Sequence, residues 1–395
     1  MSAQPDLSTP ARTETDWWSV ATVTIGIAVF AMAQGLTYPL ISLLLAQAGT
    51  SDSLIGLNAA AYMAGLATSV LVVPSLQRHL RARQVIVAGL LGVSALLVGF
   101  AIIDSLAAWF LLRFALGFCV NAIYVFGEAW LNAATADHMR GRVAGLYGTA
   151  MSGGFAVGPL AIPLVGTDEG LAFAACAALV SLAAFLLALL SRRAKIEPAQ
   201  LLLTNVPRFA RSAPLLLFVV LIFGFVDAAV LSLAPVFLIA DGDSVAADAT
   251  FLTVMHLGMI VTQPLLGLAL DRWDRWRVTA GCMAATALLF TLLSIVPVTS
   301  PLIWVVGALA GAAFFGIYTS ALALLGREHA GQMLVAGASA FSLAYAAGGI
   351  LGPPASGALT GLAPGMTFAP VILLSVIGAL VLVRQRWQRA GEPPA

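Results

Sequence analysis

The chain has 395 residues, of which 61% are apolar and only 9% charged, with a formal net charge of +1 and a mean hydropathy of +0.99. So little charge excludes a water-soluble globular protein, because most of the surface must face lipid. No basic patch of the kind that binds nucleic acid is present either.

The first sixteen residues are polar, contain Pro5 and Pro10, and lack the short apolar core and small-residue cleavage site of a signal peptide. They read as an N-terminal tail (1–16), which leaves the first apolar segment to target the chain. A helix needs about 20 apolar residues to cross the hydrocarbon core. Runs of that length are expected at 17–45, 53–73, 84–103, 107–131, 143–164 and 171–191. After a connection at 192–213 they resume at 214–239, 249–270, 278–296, 301–325, 334–360 and 366–383. Continuous apolar runs imply helices, since alternating barrel strands would interrupt them and lipid leaves no backbone group unpaired. The expected architecture is all-α and membrane-integral: twelve transmembrane helices as two six-helix bundles (17–191 and 214–383) and a C-terminal tail (384–395). The connection at 192–213 carries Pro198, Pro207 and a basic cluster, and reads as a linker suited to anionic lipid headgroups.

The two halves repeat one another. Gly154-Phe-Ala-Val-Gly158-Pro159 in the fifth segment returns as Gly348-Gly-Ile-Leu-Gly352-Pro353 in the eleventh, and Gly158 and Gly352 stand 194 positions apart. Pro39 and Pro235 are 196 apart, and Pro74 and Gly267 are 193 apart. An internal repeat of this length in so apolar a chain is the mark of a secondary transporter.

All but one of the 19 basic residues fall on alternate connections, from Arg12 through Arg78, Arg81 and Arg83 to Arg384, Arg386 and Arg389. The opposite loops carry acids such as Asp52, Asp104, Asp168, Asp241 and Asp243. By the positive-inside rule both termini are cytoplasmic. Lys195 is the only lysine, which reads as the codon bias of a GC-rich bacterial genome and places the chain in a bacterial inner membrane. Cys119, Cys176 and Cys282 are spread over predicted helices and offer neither a disulfide framework nor a metal site. No phosphate-binding Gly-x-x-x-x-Gly-Lys-Ser/Thr loop occurs, so an ion gradient is the available energy source and no cofactor is expected. No catalytic triad is visible, and an enzyme is not indicated.

Charges inside the predicted helices are few enough to take singly. The remaining basic residue, Arg113, lies in the fourth segment, where a buried guanidinium is expensive and usually functional or paired. Asp227 lies about 13 residues into the seventh segment, roughly 20 Å deep at 1.5 Å per residue. That depth is near the midplane and suits a carboxyl that loads and releases a proton. His256 sits two turns into the eighth segment at a comparable depth and is either a second proton site or a satisfied core histidine. Glu128, at the cytoplasmic end of the fourth segment, reads as a gate carboxylate facing the loop of Arg78, Arg81 and Arg83 or that of Arg140 and Arg142. Gln34, Tyr38, Asn58, Tyr62, Asn121 and Tyr124 in the first half suggest a mildly polar, aromatic-lined cavity. Gln263, Tyr318, Ser342 and Tyr345 extend it into the second half. Each of them alone is equally suited to joining helices.

The connection Gly267-Leu-Ala-Leu-Asp271-Arg272-Trp-Asp274-Arg275-Trp-Arg277 resembles the Gly-x-x-x-Asp-Arg-x-Gly-Arg-Arg loop of the major facilitator superfamily. The resemblance implies a cytoplasmic latch in which the glycine lets helices approach while Asp271, Arg272 and Arg275 form ion pairs with the other bundle. Asp274 replaces the family's second glycine, and the first-half loop has Arg78 where the family usually has Asp. Arg113-Phe-Ala-Leu-Gly117 resembles the family's Arg-x-x-x-Gly element, which implies that Arg113 assists proton transfer. The Gly154, Gly158, Pro159 run and its copy at Gly348, Gly352, Pro353 resemble the family's antiporter motif, which implies a helix hinge and export; simple helix packing explains the same glycines. Ile162 and Pro163 stand where that motif's last glycines belong.

The expected function is proton-coupled export of a small organic solute by a single-chain, monomeric transporter. Its partners are the solute, protons and the lipid bilayer, with no nucleic acid. The alternatives are uptake of a sugar or organic acid, with Arg113 and His256 as anion contacts, and a membrane sensor that does not transport.

Overall fold

The computed structural model describes residues 14–76, 80–136, 139–160, 169–191, 206–240, 245–297, 299–329 and 331–390. The expectations placed on Arg78, Ile162 and Pro163, on linker residues 192–205 and on the outermost tails lie outside the described residues. Twelve long helices follow one another: α1 (Trp17–Gln47), α2 (Asp52–Leu76), α3 (Ala82–Ile102), α4 (Leu106–Ala134), α5 (Arg140–Leu160) and α6 (Glu169–Leu190). The second half contributes α7 (Pro214–Ala240), α8 (Val245–Arg272), α9 (Arg275–Ile295), α10 (Leu302–Glu328), α11 (Gly331–Thr360) and α12 (Ala369–Ala390). Among the described residues, nine of these, α1–α4 and α6–α10, are long and apolar enough by themselves to cross a bilayer. The glycine-rich α5 and α11 are flanked by helices on both sides, α5 by α1 and α8 and α11 by α7 and α2, so they need less apolar surface.

Local chemistry moves several ends from where hydropathy alone put them. The Asp16 carboxylate accepts from the Ser19 N–H and hydroxyl, capping α1. Asp274 accepts from the Arg277 N–H at 3.0 Å, so α9 starts at Arg275 rather than at 278. Gly49, at φ +75°, turns the chain between α1 and α2 in a conformation that disfavours side chains. The tail expected from 384 is helical to Ala390, because hydropathy reports where lipid ends and not where the helix does.

The linker also holds a short helix, Val206–Ser212. Its Phe209 is fully buried, 4.8 Å from the His329 ring and packed against Phe341 of α11. Phe209→Ala is expected to cost about 3 kcal/mol or more, read as a lower unfolding temperature and faster protease cleavage within 192–213; unchanged cleavage would show the helix is not pinned there.

Two apolar cores form, one built mainly from α1–α6 and taking in Ala228 and Leu233 of α7 and Ala346 of α11, the other from α7–α12 with Phe209 of the short helix. Glycines set the helix crossings in both. A Cβ at Gly65 or Gly117 would collide with the Phe114 or Tyr62 carbonyl across the α2/α4 crossing. At α8/α10 the same holds for Gly258 against Ala308 and Gly311 against Met255. Gly154 and Gly158 let α5 lie on α1 at Ala28 and Met32, as Gly348 and Gly352 let α11 lie on α7 at Leu221 and Phe225. Such contacts are how helices associate where lipid is as apolar as a side chain. The glycines of the Gly-Pro runs thus pack α5 on α1 and α11 on α7, while Ala156 and Pro353 of the same runs face the other bundle.

Among the described residues the bundles meet where α1 and α2 approach α7, α2 lies on α11 and α5 meets α8, chiefly along the halves nearest the acidic loops. In the α2/α11 contact Gly56 lies against Pro353 and Gly357 against Asp52, and in the α5/α8 contact the Thr253 hydroxyl donates to the Ala156 carbonyl at 3.0 Å. Toward the arginine-bearing ends, α4 and α10 do not pack together among the described residues. A gap opens between the bundles on that face.

Candidate functional site

The gap narrows onto a cluster of tyrosines and buried charges. On α4, Arg113, Gly117, Asn121, Tyr124 and Glu128 recur at spacings of three and four and so share one face. Glycine at 117 admits α2 closely, which brings Tyr62 beside this face.

Arg113 is fully buried. Its Nη2 reaches the Tyr38 carbonyl at 3.4 Å, and the guanidinium carbon lies 4.4 Å from the centre of the Tyr38 ring and 5.9 Å from that of Tyr62. Nε and Nη1 find no hydrogen-bond partner among the described residues. Two aromatic faces and one carbonyl thus hold a charge that water no longer solvates.

Asp227 of α7 is 6% exposed and accepts a hydrogen bond of 2.6 Å from the Tyr345 hydroxyl of α11. Tyr38 and Tyr62 lie within electrostatic reach of both Asp227 and Arg113. They meet edge to face with ring centres 5.2 Å apart. No hydrogen bond or ion pair joins Arg113 to Asp227 among the described residues, so the tyrosine pair lies between opposite charges of the two bundles.

Gln34 of α1 links the cluster to the gap: it donates to the Tyr62 hydroxyl and accepts from the Tyr124 hydroxyl at 3.0 Å. Asn58 and Asn121 are buried beside it, each with an amide nitrogen lacking a partner among the described residues. Across the gap, Tyr318 stacks on Phe223 with centres 4.8 Å apart, Gln263 accepts from Thr319 at 2.9 Å, and the Ser342 hydroxyl turns back to the Ala338 carbonyl at 3.3 Å. Gln263 and Ser342 are thereby tied to their own bundle, while Tyr318 and Tyr345 border the gap.

Of the arginines expected near Glu128, Arg78 and the side chain of Arg140 lie outside the described residues; Glu128 is exposed, within electrostatic reach of Tyr124, Tyr147 and Tyr318. The face it shares with Arg113 turns inward along its whole length, carrying Glu128 with it.

His256 has its Nδ1 2.7 Å from the Leu252 carbonyl, and its ring lies parallel to Phe155 of α5, 6.2 Å away, in the closed seam. In the latch loop the Asp274 carboxylate caps α9. No atom lies within 4 Å of where a Cβ at Gly267 would stand, Asp271 and Arg272 are exposed, and Arg275 donates to the Leu270 and Ala323 carbonyls of its own bundle at 3.3 and 2.9 Å. At the start of α3 the Arg81 N–H donates to the Gln84 side chain.

Tyr147 of α5 was not anticipated from the sequence. All six tyrosines of the chain, at 38, 62, 124, 147, 318 and 345, belong to this site or its rim. A phenol hydroxyl is costly against lipid tails, so confinement of tyrosine to one set of helices was a readable signal.

Two pseudo-symmetric bundles around a polar, aromatic gap define a multi-pass membrane transporter rather than an enzyme. The comparisons agree: the family model of the Major Facilitator Superfamily matches residues 23–353, and the chain belongs to that family. The uncharacterized MFS-type transporter YfkF of Bacillus subtilis (strain 168) is 28% identical over 340 residues, 84% of this chain and 86% of the relative. Among solved structures, the nucleoside transporter NupG superposes with a TM-score of 0.77 at 16% identity, over 93% of this chain and 99% of that one. A bacterial homologue of the human lysosomal transporter Spinster, in an inward-facing and occupied conformation, gives 0.73 at 14% identity, over 94% and 95%. At such identities the likeness is one of fold.

Proposed function

We propose that the chain exports a small organic solute across a bacterial cytoplasmic membrane in exchange for protons, as a monomer with both termini in the cytoplasm. The arginine-bearing ends, where the gap opens, are then cytoplasmic by the positive-inside rule, and the state described is the one that loads solute from inside. Asp227 carries the reading: it is a carboxylate at the contact between bundles, held by a single tyrosine from the same bundle, and protonation there changes the charge that Tyr38 and Tyr62 meet. Arg113, behind those two rings, supplies the opposing charge. Closing the gap while the acidic side parts would expose the same cluster to the other face.

The test uses inside-out vesicles with an imposed proton gradient and a pH-sensitive dye, challenged with a panel of drugs and metabolites. One compound class should dissipate the gradient with the wild type and not with Asp227→Asn. If no compound acts but radiolabelled metabolite is taken up by intact cells, the direction is import and the export reading fails.

The rocking motion has its own check. In a background without Cys119, Cys176 and Cys282, an Ala156→Cys, Thr253→Cys pair should form a disulfide across the closed seam, since the Thr253 hydroxyl already touches residue 156 at 3.0 Å. The oxidised protein is expected to stop transporting and to recover on reduction. Full activity when oxidised would mean that this seam never opens.

A further inference from the structure

Among the described residues Glu128 is a carboxylate exposed on the inward face of α4, and the cation of that helix, Arg113, is taken up by Tyr38 and Tyr62. The carboxylate makes no hydrogen bond or ion pair among the described residues. Three tyrosines lie within its electrostatic reach: Tyr124 one turn away on α4, Tyr147 of α5, and Tyr318 of α10 in the other bundle, stacked on Phe223.

The Tyr147 hydroxyl is an independent pointer. That residue is 6% exposed, and its oxygen has no hydrogen-bond partner among the described residues. A buried hydroxyl and a carboxylate, neither with a partner among the described residues, are costly unless something of suitable charge and shape completes them. The arginines of α5 and α10, Arg140, Arg142 and Arg327, stand in the terminal turns of those helices. On α4 the two charges differ in access: Arg113 is fully buried behind Tyr38 and Tyr62 and is closed to a solute entering the gap, whereas Glu128 is exposed. A solute there meets carboxylate and aromatic faces, which attract a cation with apolar substituents and repel an anion.

We propose that Glu128, with Tyr124, Tyr147 and Tyr318, forms a binding site for organic cations, namely amines or quaternary ammonium compounds bearing an aromatic or aliphatic body. The cationic head sits against the carboxylate, and its substituents lie on the tyrosine rings. Tyr318 belongs to the opposite bundle, so an occupant touches both halves and favours their approach over the open gap. The inference rests on the transport reading above and names its solute class, with Asp227 left to the proton.

Equilibrium binding to the purified full-length protein, without any proton gradient, separates the two. The probes are benzyltrimethylammonium, its uncharged carbon isostere and phenylacetate, followed by tryptophan fluorescence and competition. The cation should bind about tenfold or more tighter than the isostere, and phenylacetate weakest. Glu128→Gln should bring cation and isostere to within about twofold of each other, whereas Tyr318→Leu, which leaves the carboxylate in place, should weaken the cation more than the isostere. Should Glu128→Gln not yield folded protein, Tyr318→Leu and the wild-type probe series still decide.

Equal binding of cation and isostere, tightest binding of phenylacetate, or a cation preference that survives Glu128→Gln would each overturn the site. Cation binding without gradient dissipation in vesicles would instead leave the site standing and remove proton exchange.

Discussion

Asp227→Asn is expected to lower solute-dependent proton flux by about 100-fold or more, the scale on which a positioned proton-transfer group matters. The substitution is nearly isosteric, and its amide oxygen can still accept from the Tyr345 hydroxyl, which now does so at 2.6 Å. What it removes is the ability to hold or release a proton. Burying a neutral amide is less costly than burying a carboxylate at a site 6% exposed, so the yield of folded protein should be equal or higher. Loss of flux with unimpaired folding is therefore the signature sought.

Tyr345→Phe should fall between, because a hydrogen bond to a charged group contributes about 1.5–3 kcal/mol, or roughly tenfold in the step that uses it. Proton flux in vesicles and unfolding temperature of the same preparations decide the matter. Wild-type flux from Asp227→Asn would make the carboxylate a structural group.

The second large effect concerns folding. Gly117→Ala places a methyl group on the Tyr62 carbonyl, and its repeat mate Gly311→Ala places one on the Met255 carbonyl. Neither obstacle is a side chain that can turn away. The α2/α4 and α8/α10 crossings must separate, losing contacts along both helices, and each change should cost about 1–3 kcal/mol or more. Gly281→Ala in α9 is the control, since nothing lies within 4 Å of its missing Cβ. Replacing glycine in an open helical position removes about 0.5–1 kcal/mol of unfavourable backbone entropy, so this variant should be neutral or slightly more stable. Unfolding temperatures of the three in one detergent test the pairing. Equal behaviour of Gly117→Ala and Gly281→Ala would mean that α2 and α4 cross elsewhere.

Much of the fold was legible in the chain because lipid imposes rules with few exceptions. A crossing needs about 20 apolar residues, and arginines avoid the translocated side. The repeat was legible from Gly158 and Gly352, and it could have been read further. Gly65 and Gly258, 193 apart, and Gly117 and Gly311, 194 apart, carry the same offset and occupy equivalent crossings. The three-and-four spacing from Arg113 to Glu128 could likewise have joined five separate residues into one face.

By itself, then, the sequence determined the helices, their duplication and the scarcity of charge that makes Arg113, Asp227 and Glu128 stand out. Tertiary structure decided which residues meet. It placed Glu128 on the same inward face of α4 as Arg113, stacked His256 on Phe155 in the seam, and set the Gly-Pro runs where α5 and α11 touch both their own bundle and the other. The reason is physical. In water an apolar face marks the core, but lipid tails are as apolar as a packed helix interior, so hydrophobic periodicity no longer tells inward from outward. Only glycine contacts, hydrogen bonds and the cost of a few buried charges choose the orientation, and those depend on partners distant in the chain.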